Sequence, residues 1–461
     1  MNPFWKIAII GSGPAGFYSA GELFRQEKWP VKVDIFDKLP TPFGLVRGGV
    51  APDHQKIKSV TKIFERIAEK ENFRFFGNVE FGKDLKNNDL LELYDAVIYS
   101  VGSSSDRALG IPGENLSGSH SATEFVAWYN GHPDFRDKNF NLSVKNAFVI
   151  GNGNVALDVA RILAKTPEEL AQTDIADHAL KVLNKSKIEN IWLLGRRGPV
   201  QAAFSPIELR EFLELADAEI SLDSKELDLD IHSKKILEIN STKDVKKNFE
   251  ILKKISLNKL SFKNKKVHLK FLCSPIEICG KRKVEKIKLV KNELKKQDDG
   301  SLRPYATKEI IQKDANLVFR SIGYRGEALD GLPFDEKSGT IPNECGQVLD
   351  SKKPKVLRKR EYVAGWIKRG PSGVIGTNKP DAVETVNRIL ENFSSENYNS
   401  NKNVSKLDIE DLLKTRKVKY VSFSDWKIID DFEKKAGEVE GRPRKKITSI
   451  EEILKIISKR R

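Results

Sequence analysis

Two short apolar runs, Ile7-Ala8-Ile9-Ile10 and Ala147-Phe148-Val149-Ile150, are each followed at once by a glycine-rich turn and then by a helical pattern. A run of this kind, bounded by turn signals, reads as a strand buried on both faces. The chain therefore predicts strand, turn and helix twice over, near residues 7 and 147. Further strands are predicted at Val31–Phe36, Asp95–Gly102, Ile191–Leu194, Ala315–Tyr324 and Tyr362–Trp366. Helical spacing of Ile57, Val60, Ile63, Phe64 and Ile67 predicts a helix over 53–72, and others are expected over 155–164 and 381–390. Residues 220–300 are rich in Lys, with turns and short strands, and read as a surface elaboration. The Ser/Asn-rich stretch 394–403 reads as a loop, and the charged tail 407–461 as helical segments.

The two turns are Gly11-Ser12-Gly13-Pro14-Ala15-Gly16 and Gly151-Asn152-Gly153-Asn154-Val155-Ala156. In such a turn the first Gly permits the bend and the second lets a pyrophosphate approach the backbone. The third small residue packs helix against strand. The free N–H groups and dipole of the helix N-terminus then meet the phosphate charge. One such motif is weak evidence, but two, each behind a strand pattern, point to two nucleotides in one enzyme and to electrons passing between them.

The strand ends beyond the turns differ. Val31–Phe36 ends in Asp37, about 20 residues past Gly16, where a carboxylate can accept ribose hydroxyls. Ile191–Leu194 ends in Gly195-Arg196-Arg197-Gly198-Pro199. Two guanidiniums there match the chemistry of a 2′-phosphate, so the second turn predicts NADP; a solvated arginine pair in a turn is the plainer alternative.

At 461 residues the chain has room for two or three domains. No run reaches membrane-span length. The first strand begins almost at Met1, so no signal or transit peptide is expected. The three cysteines, Cys273, Cys279 and Cys345, include no CxxC pair. That excludes a secreted disulfide scaffold and a Cys-ligated cluster, and a reducing cytoplasm is the expected compartment. The six His show no metal-ligand spacing, and no metal is expected. The formal charge of +15 has two readings: a lysine-rich proteome, or an acidic partner steered by a positive face. No RNA-binding aromatic motif, zinc finger or basic arm is present, so nucleic acid is not expected.

Longer motifs carry a resemblance. They include Pro40-Thr41-Pro42-Phe43-Gly44-Leu45-Val46-Arg47, Val50-Ala51-Pro52-Asp53-His54 and Phe75-Phe76-Gly77-Asn78-Val79. Others are Trp128-Tyr129-Asn130, Val149 through Arg161, Leu209-Arg210-Glu211 and Gly365-Trp366-Ile367-Lys368-Arg369-Gly370-Pro371, with similarity continuing from Trp426 to Arg444. Across almost its whole length the chain resembles the adrenodoxin-reductase-type ferredoxin–NADP(+) reductases, especially bacterial members.

The resemblance implies an α/β protein of two doubly wound, three-layer dinucleotide-binding domains, the NADP domain inserted into the FAD domain. The expected boundaries are 1–105 for the first part of the FAD domain, 106–314 for the NADP domain and 315–461 for the second FAD part with a C-terminal extension. Gly11, Gly13, Ala15, Gly16, Asp37, Leu45, Phe81, Trp366, Gly373, Val374 and Ile375 would line FAD. Asn152, Gly153, Asn154, Val155, Arg196, Arg197 and Glu208 would bind NADP, with Gly373 on the nicotinamide side. Asp37 stands where the family usually has Glu, and Phe81 where it tends to have Val. A glycine-rich helix start at 373–378 can aim N–H groups at the pyrimidine end of a flavin; a plain helix N-terminus is the alternative. His54 and Glu211 correspond to the paired active-site polar residues, although His54 also sits where a helix-capping neighbour would.

The activity so implied is electron transfer between NADP(H), which gives two electrons as hydride, and a ferredoxin-type iron–sulfur protein that takes one at a time. The implied partner is acidic, and Arg47, Lys368 or Arg369 could face it beside the flavin edge. A monomer is expected. A disulfide reductase would need a dithiol near the flavin. A glutamate-synthase-like electron-entry subunit would need cluster cysteines, and the sequence has neither. A nucleotide-binding redox sensor is the non-enzyme alternative.

Overall fold

A computed structural model of the chain describes residues 4–258, 263–350, 353, 355–394 and 408–460. The loop expected over 394–403 lies, from residue 395 on, outside the described residues. The chain divides into two units, one of Met1–Val50, His54–Ser105 and Tyr324–Arg461, the other of Ala51–Asp53 and Asp106–Gly323.

The first unit is built on a seven-stranded sheet. Its order is Asn343–Glu344, Gln347–Leu349, Leu357–Val363, Ala96–Tyr99, Trp5–Ile10, Val31–Asp37, Phe73–Gly77. The last five strands are parallel and the first two antiparallel. Strand alternation sends successive side chains of Trp5–Ile10 to opposite faces. Ile7 and Ile9 join the core under the helices Pro14–Arg25, Asn378–Ser394 and Phe423–Val439. Ala8 and Ile10 join a second core with Leu90, Leu93, Ile409 and Leu413. Both faces are covered by helices, which is why the run is apolar throughout rather than alternating. The helix expected over 53–72 is two, Gln55–Lys58 and Thr61–Ala68, with the Ser59 hydroxyl donating to the Lys56 carbonyl between them.

The second unit has a six-stranded parallel sheet. Its order is Ser119–Ser121, Leu317–Arg320, Ala147–Ile150, Asn190–Leu194, Lys265–Lys270, Ala218–Ser221. Helices Ala122–Tyr129, Asn154–Ala164 and Lys243–Leu257 pack on one face. The other face, from Phe148, Ile150, Leu194 and Val318, packs on Ile278, Ile287 and Leu289 of a three-stranded antiparallel sheet, Cys273–Cys279, Lys286–Lys296 and Leu302–Asp314. The third layer of this unit is thus a sheet where the first unit has helices.

Two expectations need correction. The strand near 315–324 was to reopen the first unit, but Leu317–Arg320 pairs with Ala147–Ile150 in the second, and the return comes at Tyr324. Its likeness to the strand ending at Val101-Gly102 has a structural cause. Each strand lies beside the one that feeds a glycine turn, and each leads to a glycine of positive φ, Gly102 at 74° and Gly323 at 112°. Residues 220–300 are more than surface elaboration. They supply the strand Lys265–Lys270, whose Val267 and Leu269 are buried, and the core residues Leu252 and Ile255. Lysines on the outward positions mask that alternation in composition.

Candidate dinucleotide sites

In the first unit Gly11 has φ +104°, and a Cβ there would lie 2.5 Å from the Ser100 carbonyl oxygen. A Cβ on Gly16 would lie 2.2 Å from the Gly11 carbonyl oxygen, whereas a Cβ on Gly13 would have no described atom within 4 Å beyond its chain neighbours. The strand and helix therefore close tightly at the first and third glycines and leave an open face at the second. Gly13 is the N-cap of Pro14–Arg25 and no side chain caps that helix. Phe43 donates its amide to the Ser12 carbonyl at 3.0 Å, and Gly44 approaches so closely that a Cβ on it would be 2.9 Å from the Gly13 Cα. Leu45 opens the next turn.

Asp37 ends the neighbouring strand. One carboxylate oxygen accepts from the Ser12 amide at 2.9 Å and the Ser12 hydroxyl at 2.5 Å; the other, among the described residues, accepts the Leu39 amide at 2.9 Å. Burial raises its pKa above the ordinary 3.8, against the lowering effect of those hydrogen bonds. The second oxygen retains capacity for a hydroxyl donor.

Trp366 starts the short helix Trp366–Arg369, and a Cβ on the preceding Gly365 would be 2.6 Å from the Ala15 Cβ. The structure so gathers Gly11, Gly13, Ala15, Gly16, Asp37, Leu45 and Trp366 about one turn. The Trp366 indole N–H is buried without a partner. Gly373, with φ +77°, and Val374 precede Ile375–Thr377, which runs into the helix Asn378–Ser394. Gly373 lines a cavity of about 460 Å³ with Arg369, Ser372, Thr377 and Asp381. Phe81 is tied elsewhere, edge-on to Tyr99 at 5.5 Å in the opposite core. His54 is buried in the first unit and caps Gln55–Lys58, its carbonyl accepting the amides of Ile57 and Lys58.

The second unit repeats the plan. A Cβ on Gly151 would lie 2.1 Å from the Ser321 carbonyl oxygen, one on Gly153 would have no described atom within 4 Å beyond its chain neighbours, and Ala156 is fully buried. Gly153 caps Asn154–Ala164 with no side-chain cap. The Asn152 amide nitrogen is buried and unpartnered beside Gly195. Val155 is partly buried at the helix start. The Asn154 side chain accepts the Ser205 amide at 2.8 Å, which anchors the helix Pro206–Glu211 to the turn.

Arg196 is exposed and Arg197 half-buried, and among the described residues neither guanidinium has a carboxylate partner. Burial, then the neighbouring Arg196 charge, lowers the Arg197 pKa. Two cations held close without an anion form a site for one. Their backbone is fixed by Asn292 donating to the Arg196 carbonyl and Leu272 to that of Arg197.

Glu208 and Glu211 converge on a residue to which the sequence reading gave no role. The Arg161 guanidinium is 1% exposed and contacts Asp53 at 2.8 Å, Asp158 at 2.8 Å, Glu211 at 3.0 Å and Glu208 at 3.1 Å. Burial opposes its charge, but the carboxylates outweigh that and raise its pKa well above the ordinary arginine value. The only sequence signal was an Arg three residues past an Asp on an otherwise apolar helix.

The cations expected at a docking face are engaged inside the first unit. Arg47 is 12% exposed and paired with Glu433 at 2.5 Å, and Lys368 is 6% exposed and paired with Asp381 at 2.8 Å and Glu384 at 2.5 Å. Arg369 donates to Ser372 and Thr377. Basic excess collects instead between residues 263 and 314, where 15 Lys and Arg stand against 7 Asp and Glu. Cys273 and Cys279 end the same seven-residue strand, about 20 Å apart at strand rise, too far for a disulfide. Burial pushes the Cys273 thiol up to about 11.

Among the described residues no helix is long and apolar enough to cross a membrane. The open faces at Gly13 and Gly153, the uncapped helix starts and the unpartnered Asn152 and Trp366 nitrogens fit two dinucleotides.

Comparison with known proteins agrees. Residues 5–192 match the family described as pyridine nucleotide-disulphide oxidoreductase. The chain is 47% identical over 464 residues to the NADPH-ferredoxin reductase FprA of Mycobacterium tuberculosis, covering 99% of both. It is 41% identical to the mitochondrial NADPH:adrenodoxin oxidoreductase of Arabidopsis thaliana, covering 97% of this chain and 94% of that one. The solved structure of Mycobacterium tuberculosis FprA in complex with NADPH superposes with a TM-score of 0.92 at 46% identity, covering 99% of this chain and all of that one. The chain belongs to the adrenodoxin-reductase-type family of NADPH–ferredoxin reductases.

Proposed function

We propose that the protein is an FAD-dependent ferredoxin–NADP(+) reductase, moving electrons between NADP(H) and a ferredoxin-type iron–sulfur protein. The observation that carries the reading is the pair of glycine turns with unlike strand ends: Asp37 beside the first and Arg196-Arg197 beside the second. Bound FAD supplies the step no side chain can perform, accepting two electrons as hydride and releasing them singly.

The chain's own residues bind and orient. Gly13 lets the FAD pyrophosphate approach the N-terminus of Pro14–Arg25, and Asp37 accepts a ribose hydroxyl through its less occupied oxygen. Ala15, Leu45, Trp366 and Gly373 through Ile375 line the rest. Asn152 through Val155 hold the NADP pyrophosphate, Arg196 and Arg197 grip the 2′-phosphate, and Glu208 completes that site. Arg161 holds Glu208 and Glu211 in place through its ion pairs with both. Hydride transfer needs close, aligned rings rather than a strong base, so His54 and Glu211 position the reactants and carry a proton.

The partner is an acidic carrier, drawn by the +15 charge and most strongly by residues 263–314. The protein works as a monomer in the cytoplasm. NADPH-dependent reduction of cytochrome c should require added ferredoxin, and at saturating NADPH it should fall steeply from about 0.1 to 1 M salt as the screening length drops from about 10 to about 3 Å. Ferricyanide, which needs no docked surface, should respond much less. Equal salt slopes for the two acceptors would remove the docking role, and no ferredoxin requirement would favour a redox sensor.

A further inference from the structure

The helix Phe423–Val439, the last but one in the chain among the described residues, supplies neither glycine turn, yet it reaches the first one through a buried carboxylate. The side chain of Glu433 is 0% exposed. Its oxygens accept the two prongs of Arg47 at 2.8 and 2.5 Å, Arg444 at 3.1 Å and the Ile447 amide at 2.8 Å. Two turns earlier on the helix, the Trp426 ring lies 5.0 Å from the Arg47 guanidinium and meets Phe43 edge-on at 6.0 Å. Phe423 meets Phe43 edge-on at 6.5 Å. Lys446 donates to the Arg47 carbonyl at 3.2 Å.

Both ends of the turn from Phe43 to Arg47 are therefore held from one helix and the segment after it. The turn needs holding. Phe43 has φ +84°, a conformation a bulky residue keeps only when its surroundings fix it. Gly44, the next residue, is the one pressed against Gly13. A two-pronged arginine–carboxylate pair fixes orientation as well as distance.

We infer that the helix Phe423–Val439 is part of the flavin-binding apparatus, with Glu433 a positioning residue that acts through Arg47 to hold Phe43 and Gly44 against Gly13. The inference rests on FAD lying at the first glycine turn, as proposed above. A merely structural pair would weaken the protein with and without FAD alike. A positioning pair weakens FAD binding in a protein that still folds.

The test titrates apoprotein of the wild type, Glu433→Gln and Arg47→Lys with FAD, following quenching of flavin fluorescence. The thermal midpoint of each is measured with and without FAD. The FAD Kd should rise roughly tenfold or more in Glu433→Gln, the size of one lost charge-assisted contact. It should rise less in Arg47→Lys, which keeps the charge and loses the fork, and the rise in midpoint on adding FAD should shrink in the same order. Arg47→Lys leaves Glu433 bonded to Arg444 and Ile447, so it carries the test if Glu433→Gln fails to fold. A wild-type Kd in the folded variants, or equal losses of midpoint with and without FAD, would overturn the inference. Wild-type apoprotein that binds no FAD would instead overturn the placement of FAD, and the inference with it.

Discussion

In the first unit Gly11 passes under the Ser100 carbonyl, and in the second Gly151 passes under that of Ser321. In both, the middle glycine faces open space and the helix behind it lacks a side-chain cap. Two of the differences between the units bear on packing and on the ligand. The third small residue is Gly16 in one and Ala156 in the other. The next strand ends in the carboxylate of Asp37 in one and in two unpartnered guanidiniums in the other. In the proposed assignment one backbone device serves either pyrophosphate, and the end of the second strand decides which dinucleotide is chosen. The layers around the turns differ as well, since helices cover both faces of the first sheet while an antiparallel sheet covers one face of the second.

The sharpest way to break the parallel is to fill each open face. Gly13 has φ −75° and ψ −175°, Gly153 has φ −102° and ψ 176°, and both are backbone conformations that valine adopts easily. With no described atom within 4 Å of a Cβ on either, Gly13→Val and Gly153→Val should fold and lose only the ligand. Gly13→Val should be purified colourless and lose the stability that a tightly bound cofactor adds, about 4 kcal/mol at a thousandfold excess over Kd. Gly153→Val should keep its yellow colour and lose NADPH binding. Full flavin occupancy in folded Gly13→Val would refute the first assignment.

The next effect is on coenzyme choice. Charge-assisted hydrogen bonds contribute roughly 1.5–3 kcal/mol each. Replacing both arginines, Arg196→Leu with Arg197→Leu, should lower the NADPH over NADH ratio of kcat/KM by about 10²–10⁴-fold. Flavin content should not change. An unaltered ratio would move the 2′-phosphate elsewhere.

The smallest effect separates the third positions. Gly16→Ala places a methyl against the Gly11 carbonyl and should cost about 1–3 kcal/mol of stability by overpacking. Ala156→Gly should cost about 0.5–1 kcal/mol, the usual price of glycine in a helix. Urea unfolding of the two variants measures both, and equal losses would mean that the two turns close alike.

Much of this was legible because it depends on local chemistry. The strand-turn-helix units, Asp37 and the arginine pair each follow from residues within a few positions of one another. What escaped notice depends on distant partners. Arg47 and Lys368 read as surface cations because nothing nearby in sequence announces Glu433 or Asp381 as buried mates. Arg161 read as one residue in a motif because Asp53, Glu208 and Glu211 reach it from separate segments. The strand Leu317–Arg320 was assigned to the first unit because it plays, in the second, the same part that Ala96–Tyr99 plays in the first.

The central claim is that the first turn holds a flavin reduced by the coenzyme of the second. Anaerobic titration of the purified protein, followed by its visible spectrum, tests it directly. The account predicts flavin absorption bands that bleach on adding about one equivalent of NADPH, and reappear when oxidised ferredoxin is supplied, with NADH far slower. A protein without flavin bands, or one whose bands NADPH leaves unchanged, would contradict it.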